Sequence, residues 1–336
     1  MSSNGLNCLF LSCHASLEYY MSKMFQMIGV KCPYSDMDVG NPERPHIKGY
    51  REVSGQQQRT NSKHWNRMWQ QKDFKGIDFI YMMNFGDVDE HARYYAQFRL
   101  PIFVHLFGQY NIRLICNLID AGIEHDNIFL VCYSKTEMGI YHKVSFDHKG
   151  FRSRIHYIPF ALDPDEFDNW DGSKPKVYTT CNDFQNRQSC NFPVYQDIVK
   201  DIPHVFSGRN TEEVGGIGLQ SYDDLKSNYQ AYRMYLSMGT IPAPYTLTPL
   251  EAMMTGCPTA IYDNGMGISD EGILSNDGTV GIVSNDLVVL REYIQRTIDD
   301  KAFADDQSNK VRARAMSLFH LQAVAKQWKE LLSFNV

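Results

Sequence analysis

Residues 245–258 contain the side chains best suited to bind a ligand that carries phosphate. This segment reads YTLTPLEAMMTGCP, and the run from Thr246 to Glu251 predicts the start of a helix with Pro249 in its first turn. A helix N-terminus offers unpaired N–H groups and the positive end of the helix dipole, and both stabilise a phosphate. Glu251 adds a carboxylate that can accept hydrogen bonds from two hydroxyl groups. The segment therefore indicates an anion-binding helix end with a carboxylate beside it.

A purely structural interpretation competes with this one. Thr248 and Glu251 have the T-x-x-E spacing of a capping box, in which Glu251 would bond only the N–H of the residue that caps the helix. On spacing alone the capping box is the simpler interpretation, so the binding role depends on the residues that follow.

Two acidic pairs have the D-x-D spacing that can hold a metal ion, Asp36 with Asp38 and Asp87 with Asp89. Neither follows a strand of the expected kind of sheet, and we interpret both as solvated loop or helix-start acids. The eight cysteines form no C-x-x-C pair, and no histidine, cysteine and aspartate cluster has zinc spacing. We therefore expect no metal site, and we expect free buried thiols in a reducing cytoplasm.

The elements that must position these residues alternate between strand and helix. Apolar runs predict strands, and stretches with helical spacing lie between them. This alternation, with strands that are almost entirely apolar, predicts doubly wound parallel sheets. The strands are predicted at residues 7–12, 31–34, 77–84, 101–107, 127–133, 177–180, 204–207, 232–238 and 259–262.

The length of 336 residues suits two α/β domains of about 150 residues each. The polar stretch 163–176 is the best candidate for the boundary. We predict an N-terminal domain over residues 1–162, a C-terminal domain over 163–310, and a terminal helix over 311–336 that can cross back to the N-terminal domain. No apolar run approaches the ~18 residues that a membrane-spanning helix needs, and we predict a cytoplasmic protein.

Two segments resemble the retaining family-4 glycosyltransferases. Residues 155–167 read IHYIPFALDPDEF, and four of them match the family pattern at the end of its first domain, with Phe160 and Ala161 replacing the usual Asn-Gly. Residues 245–258 match the family's donor-binding pattern, with Thr246 in place of its second glycine. Ala243, two residues before this segment, stands where the pattern has its first glutamate. The matching residues are Ile158, Pro159, Asp163, Phe167, Tyr245, Leu247, Leu250, Glu251, Ala252, Met253, Gly256 and Pro258.

The resemblance implies the GT-B fold, which is α/β with two Rossmann-like domains whose parallel sheets face each other across a cleft. It implies a hexosyl- or pentosyltransferase that takes its sugar from a nucleotide-sugar, such as a UDP-sugar, with retention of configuration and without a metal or cofactor. In the family, the glutamate that matches Glu251 binds the ribose hydroxyls of the donor. The loop that opens the helix contacts the same donor, which here implicates Tyr245, Thr246, Leu247 and Thr248.

The family also uses a basic pair on the second domain to hold the donor phosphates. Arg187 and Arg209 are the candidates here, because arginine binds phosphate in bidentate fashion. A surface arginine in a loop is an equally good interpretation of either one. Ala243 cannot contact the transferred sugar as the family's glutamate does, which suggests an unusual sugar, such as a pentose, or a different way of holding it.

Two histidines are candidate catalytic residues. His105 lies two residues before Phe107-Gly108, where the family often has His-Gly, and a core histidine is an equal alternative. His14 lies in the first strand–helix loop, and ligands bind at the carboxyl ends of strands in such sheets. In the family the departing phosphate is thought to deprotonate the acceptor, so neither histidine is obligatory.

Residues 44–75 form a basic segment with a local charge of +6 in a chain whose net charge is −6. Cations bind phosphates, aromatic rings stack on or wedge between bases, and amides reach base edges. The leading acceptor is therefore double-stranded DNA with 5-hydroxymethylated pyrimidines, which some viral glycosyltransferases modify, and a viral enzyme would act in the host cytoplasm. The candidate acceptor residues are Arg59, Lys63, Trp65, Arg67 and Trp69.

Other interpretations remain open. The segment suits a glycan or lipid-linked acceptor, or simply a solvated loop. The missing glutamate and the missing His-Gly also fit a non-catalytic relative of the GT-B enzymes. An isomerase of nucleotide sugars on the same fold is a further alternative.

Overall fold

The structure is a computed structural model that describes residues 5–12, 15–36, 74–83, 88–106 and 112–336. The chain divides into two compact units. Unit 1 comprises Met1–Ala161 together with Leu321–Val336, and unit 2 comprises Leu162–His320. Each unit contains its own parallel sheet.

The described residues of unit 1 form a sheet of six strands in the order β2-β1-β3-β4-β5-β6, and all neighbours are parallel. Strands β3, β4 and β5 are buried along their whole length, which explains why their sequences are apolar except for His105 in β4. The strands are β1 (Asn7–Ser12), β2 (Lys31–Asp36), β3 (Phe79–Met83), β4 (Ile102–Leu106), β5 (Ile128–Cys132) and β6 (Ile155–Tyr157). The helices between them are α1 (Ala15–Met27), α2 (Val88–Ala96), α3 (Ile112–Glu124), α4 (Lys135–Val144) and α5 (Lys149–Arg152).

The sheet of unit 2 has five parallel strands in the order β11-β10-β9-β7-β8. The strands are β7 (Lys174–Thr180), β8 (His204–Ser207), β9 (Tyr232–Ser237), β10 (Thr259–Tyr262) and β11 (Ile282–Ser284). The helices are α6 (Phe192–Val199), α7 (Tyr222–Ala231), α8 (Leu247–Thr255), α9 (Ile268–Glu271), α10 (Leu287–Asp299) and α11 (Lys301–Phe319).

The last helix, α12 (Leu321–Asn335), belongs to unit 1. Its Trp328 is fully buried, and the ring lies 5.5 Å from the rings of both Phe25 and Tyr81. The sequence predicts one terminal helix from residue 311, but the structure has two helices there, because His320 leaves the helical conformation with ψ of 126°. The carbonyl of Phe319 instead accepts a hydrogen bond of 2.8 Å from the N–H of Leu162.

The predicted α/β fold with two parallel sheets is confirmed. Several elements are missing from the sequence prediction, including β11, α9 and the first turns of α11. The first turns of α11 follow Asp300, whose side chain accepts a hydrogen bond of 3.0 Å from the N–H of Phe303. This cap starts a new helix directly after α10. Within the described ranges, no helix combines the length and the apolar character needed to cross a membrane.

Candidate functional site in unit 2

The sheet of unit 2 reverses its strand order beside β7. The chain places β8 on one side of β7 and then returns to place β9 on the other side. Such a reversal opens a crevice at the carboxyl ends of the strands, which is where ligands bind in open parallel sheets. Three of the loops at this edge are residues 181–191 after β7, 208–221 after β8 and 238–246 after β9.

Hydrogen bonds tie these three loops together. The Oδ1 of Asn182 accepts from the N–H of Arg209 at 2.8 Å, and the N–H of Asp183 donates to the carbonyl of Arg209 at 2.8 Å. The N–H of Ile241 donates to the carbonyl of Ser189 at 3.1 Å. The loops at the edge of the sheet are therefore connected to one another through hydrogen bonds of their backbone.

Gly208 allows the closest approach within this framework. Its φ is +142°, and a Cβ added there would lie 2.0 Å from the carbonyl oxygen of Cys181. That separation is far below any real contact, so the loops after β7 and β8 can pack this closely only because residue 208 is glycine.

Helix α8 begins at this edge, and its start differs from the capping-box interpretation. The residue before the helix is Thr246, so Thr248 and Pro249 both lie inside the first turn. The Oγ1 of Thr248 accepts a hydrogen bond of 3.0 Å from the hydroxyl of Tyr235 in β9. Because Glu251 is not the third residue of the helix, the capping-box interpretation is wrong.

The first turn of α8 presents backbone donors. The first N–H groups of a helix have no carbonyl partner inside it. Within the described part of the chain, the side chain of Thr246 makes no capping hydrogen bond to these N–H groups, and Pro249 has no N–H. The amides of Leu247 and Thr248, both half-buried, therefore form the positive end of the helix dipole at the carboxyl edge of the sheet.

Glu251 lies one turn further along α8 and is only 3% exposed. Its Oε1 accepts a hydrogen bond of 3.1 Å from the hydroxyl of Tyr222, which is the first residue of α7. Burial and then the Glu251 charge raise the pKa of the Tyr229 hydroxyl. A buried carboxylate held by a tyrosine is a positioned acceptor for ligand hydroxyl groups.

The two candidate arginines both lie in the loops at this edge. Arg187 is exposed at the end of the loop after β7, and its N–H donates to the carbonyl of Asp183 at 2.8 Å. Arg209 is exposed directly after Gly208, in the loop after β8. Their chain positions are thus compatible with phosphate binding, and the exposure is equally compatible with surface residues.

Two further residues of the donor motif line the loop before α8. Tyr245 is 3% exposed and packs with its ring 6.2 Å from that of Phe319, so its side chain helps to anchor the loop. Ala243 is buried, and its N–H donates to the carbonyl of Thr240 at 2.6 Å. A methyl group at this position offers no hydrogen bond to a sugar.

His105 lies in the core of unit 1, as its interpretation as a core histidine predicts. The side chain is fully buried, its Nδ1 is 2.8 Å from the hydroxyl of Tyr81, and its ring lies 5.8 Å from that of Trp328. Burial lowers the pKa of His105 to about 3. These contacts argue for a neutral histidine that stabilises the core.

This burial predicts a pH effect on stability. In the unfolded chain His105 takes up a proton below about pH 6.5, while in the folded protein it stays neutral until about pH 3, so stability is lost as the pH falls through this window. Between about pH 6.5 and pH 5 the loss is about 2 kcal/mol. Urea unfolding of wild type and His105→Gln at several pH values measures it, and we expect the variant to show a decline smaller by that amount. Parallel declines would contradict a buried neutral His105.

Several predicted residues fall outside the described part of the chain. They are His14, Arg59, Lys63, Trp65, Arg67, Trp69, Asp38 and Asp87. Of the two acidic pairs, Asp36 and Asp89 are described. Asp36 is the last residue of β2, so its interpretation as a loop or helix-start acid is wrong. Asp89 lies in the first turn of α2, and its Oδ2 accepts a hydrogen bond of 2.6 Å from the side-chain amide of Asn117.

Three residues of the site were missed from the sequence. Tyr222 follows Ser221, whose hydroxyl accepts a hydrogen bond of 3.1 Å from the N–H of Asp224 and so marks the start of α7. The sequence predicts a helix that starts at Tyr222, but no local pattern indicates that the Tyr222 side chain reaches Glu251. Asn182 and Gly208 act through pairing between loops that lie far apart in the chain, which sequence spacing does not reveal.

Comparisons with known proteins support the fold. No family model and no curated protein matches the sequence. Among solved structures, the Anabaena protein HepE in complex with UDP-glucose has 12% sequence identity and a TM-score of 0.72, covering 98% of this chain and 99% of that one. Sucrose-phosphate synthase from Thermosynechococcus elongatus has 15% identity and a TM-score of 0.65, covering 98% of each chain. An alpha-glucosyltransferase in complex with UDP-glucose and abasic DNA has 11% identity and a TM-score of 0.64, covering 97% of this chain and 99% of that one.

Proposed function

We propose that this protein is a glycosyltransferase that takes a sugar from a nucleotide-sugar donor bound at the carboxyl edge of the unit 2 sheet. The observation that carries the proposal is the buried Glu251 carboxylate, one turn inside the helix whose N-terminus opens at that edge. A nucleotide-sugar carries both chemical groups that such a site suits, a diphosphate and a pair of ribose hydroxyls.

The chemistry of transfer requires stabilisation of the departing diphosphate. The amides of Leu247 and Thr248 and the dipole of α8 supply positive potential without a side-chain charge. Arg187 and Arg209 add mobile positive charge from the neighbouring loops. Glu251 fixes the nucleotide through its ribose, and the sugar–phosphate bond is thereby held against the helix end.

The solved neighbours support a UDP-sugar as the donor, since HepE binds UDP-glucose and so does the alpha-glucosyltransferase. The motif resemblance supports retention of configuration, in which the departing phosphate deprotonates the acceptor on the same face. The burial of His105 suits that mechanism, because a histidine closed off from solvent is a poor general base.

Ala243 supports an unusual donor sugar, or a different way of holding it. Its buried methyl group leaves the transferred sugar without the carboxylate partner that the family's first glutamate provides. We therefore infer a donor such as a UDP-pentose, which has fewer hydroxyl groups to satisfy. A panel of UDP-hexoses and UDP-pentoses tests this inference, and a strong preference for glucose would contradict it.

The leading acceptor is DNA with hydroxymethylated pyrimidines. The charge of the basic segment 44–75 supports it, and the alpha-glucosyltransferase neighbour was solved with DNA. A glycan or lipid-linked acceptor is the alternative, because the same basic and aromatic residue types suit it.

The test is a transfer assay with purified protein, the UDP-sugar panel, and hydroxymethylated or unmodified duplex DNA. We expect sugar on the hydroxymethylated duplex alone, and DNA affinity that falls steeply with salt, as phosphate contacts require. Transfer only to a glycan or lipid-linked acceptor would overturn the DNA proposal. The absence of UDP binding, donor hydrolysis and transfer would overturn the enzyme proposal and favour a non-catalytic relative.

Tyr222 should affect donor binding through Glu251. Tyr222→Phe removes the hydroxyl that holds the carboxylate, and we expect the KM for the donor to rise about fivefold with kcat nearly unchanged, because one hydrogen bond is worth about 1 kcal/mol. The matched control is Tyr293→Phe, which removes a buried hydroxyl bonded to Gln307 at 2.9 Å on the helices α10 and α11. Steady-state kinetics measure KM and kcat for both variants, and an equal KM for the donor in the two variants would refute the prediction.

A further inference from the structure

The first turn of α8 carries a side-chain hydroxyl as well as its backbone donors. Thr248 is the second residue of the helix and is half-buried, so this hydroxyl belongs to the same turn as the amide N–H groups of Leu247 and Thr248. A threonine hydroxyl has one proton to donate and two lone pairs that accept. What it offers to a ligand therefore depends on where the neighbouring residues direct that proton.

A buried tyrosine fixes the direction of the Thr248 hydroxyl. Tyr235 in β9 is 1% exposed, and its hydroxyl donates a hydrogen bond of 3.0 Å to the Oγ1 of Thr248. The Tyr235 ring is held by packing, since it lies 5.5 Å from the ring of Tyr229 and 6.3 Å from that of Tyr178. Burial also raises the pKa of the Tyr235 hydroxyl, so the tyrosine keeps the proton that it donates.

This bond leaves Thr248 with a proton to give away. The oxygen of Thr248 is the acceptor for the Tyr235 proton, and a buried hydroxyl without an acceptor would be costly, so the direction of the bond is set from the tyrosine. The proton of Thr248 must then point away from Tyr235. Within the described residues, no protein group accepts that proton, and the half-buried side chain leaves it open to a ligand.

We propose that the Thr248 hydroxyl donates a hydrogen bond to a phosphoryl oxygen of the donor diphosphate, and that Tyr235 is a positioning residue that directs this hydroxyl. The inference rests on the proposed donor site and names the group of the donor that the first turn of α8 recognises.

The chemistry of the first turn matches a phosphate and not a sugar hydroxyl. The amides of Leu247 and Thr248 and the directed Thr248 hydroxyl are all hydrogen-bond donors. An ionised phosphoryl oxygen accepts hydrogen bonds and has no proton to give, and bonds to such a charged acceptor are the strong ones. A sugar hydroxyl or a ribose would leave its own protons without an acceptor at this turn. Tyr235 does not touch the ligand in this arrangement and acts only through Thr248.

Calorimetric titration of the full-length protein with UDP and with uridine tests the role of Thr248. Uridine keeps the ribose hydroxyls but has no phosphate, so only UDP reports on this hydroxyl. We expect Thr248→Val to weaken UDP binding at least about tenfold, because a hydrogen bond to a charged group is lost, and to leave uridine binding unchanged. Thr248→Ser keeps the hydroxyl and should bind UDP within about threefold of wild type. Thr248→Ala repeats the test if valine impairs folding.

Tyr235→Phe tests the positioning role. We expect UDP affinity to fall about fivefold, with uridine affinity unchanged, because the Thr248 hydroxyl loses the bond that directs it. In the Thr248→Val background the same substitution should have no further effect on UDP affinity, since no hydroxyl is left to direct. The control is Tyr293→Phe, which loses a buried hydroxyl bonded to Gln307 at 2.9 Å and should bind UDP as wild type does.

The possible failures are distinguishable. Unchanged UDP affinity in Thr248→Val, or equal losses of UDP and uridine affinity, would overturn the inference in a wild-type protein that binds UDP, and the proposed donor site would stand. Additive losses of UDP affinity from Tyr235→Phe and Thr248→Val would refute the positioning role. A wild-type protein that binds neither UDP nor uridine would overturn the proposed donor site, and this inference with it.

Discussion

Glu251→Gln is expected to weaken UDP binding by about 10- to 100-fold. The substitution keeps the size of the side chain but replaces the proposed charged acceptor of two ribose hydroxyls with a neutral amide. A hydrogen bond to a charged group contributes about 1.5–3 kcal/mol. The carboxylate is 3% exposed and held by Tyr222, so little of this effect is screened by solvent. Isothermal titration calorimetry with UDP measures the change.

A second buried glutamate gives the matched control. Glu271 in α9 is also 3% exposed and belongs to the same unit, but it follows β10 and is part neither of α8 nor of the loops after β7, β8 and β9. We expect Glu271→Gln to affect stability without reducing UDP affinity.

Glu251→Ala should lower the turnover rate more than His105→Gln does, because the proposed mechanism needs no side-chain base. Near-normal turnover of Glu251→Ala would refute that order.

Gly208→Ala is expected to have the largest effect on the loops of the site. The new Cβ would lie 2.0 Å from the Cys181 carbonyl oxygen, so the loops after β7 and β8 must separate. We expect the free energy of unfolding to fall by about 3 kcal/mol and UDP affinity to fall by more than about tenfold, since Arg209 and its bond to Asn182 move with the loop. Urea unfolding and UDP titration measure the two effects.

Gly215→Ala is the control for this prediction. Gly215 lies in the same loop with φ of +90°, but nothing lies within 4 Å of an added Cβ. Only the cost of the left-handed conformation, about 1 kcal/mol, should remain, with UDP affinity unchanged. Equal losses in both variants would show that contact with Cys181 is not what requires glycine at position 208.

The strands could be predicted well because burial forces their sequences into apolar runs. Three of them, Asn7–Ser12, His204–Ser207 and Thr259–Tyr262, have the predicted limits. Short or polar elements were missed, since β11 has only three residues and the first turns of α11 read KAFADDQ. Periodicity is weak in both, and the cap at Asp300 was the available signal.

The site was predicted less completely than the fold. The order of the motifs indicated Glu251 and the helix end. The residue that caps α8 is Thr246, two residues before the Thr248 cap of the capping-box interpretation, and Thr248 instead contacts Tyr235 in β9. That contact is tertiary and has no local signature. His105 has the position of a catalytic candidate along its strand, yet only packing from Tyr81 and Trp328 decides that it is buried.

The central claim is that the nucleotide lies at the end of α8 with its ribose on Glu251, and a crystal structure with UDP-glucose and UDP-pentoses soaked together tests it most directly. The account predicts ribose hydroxyls within about 3 Å of the Glu251 carboxylate and a diphosphate facing the amides of Leu247 and Thr248. A nucleotide bound elsewhere, with the Glu251 carboxylate still in contact with protein groups alone, would contradict it.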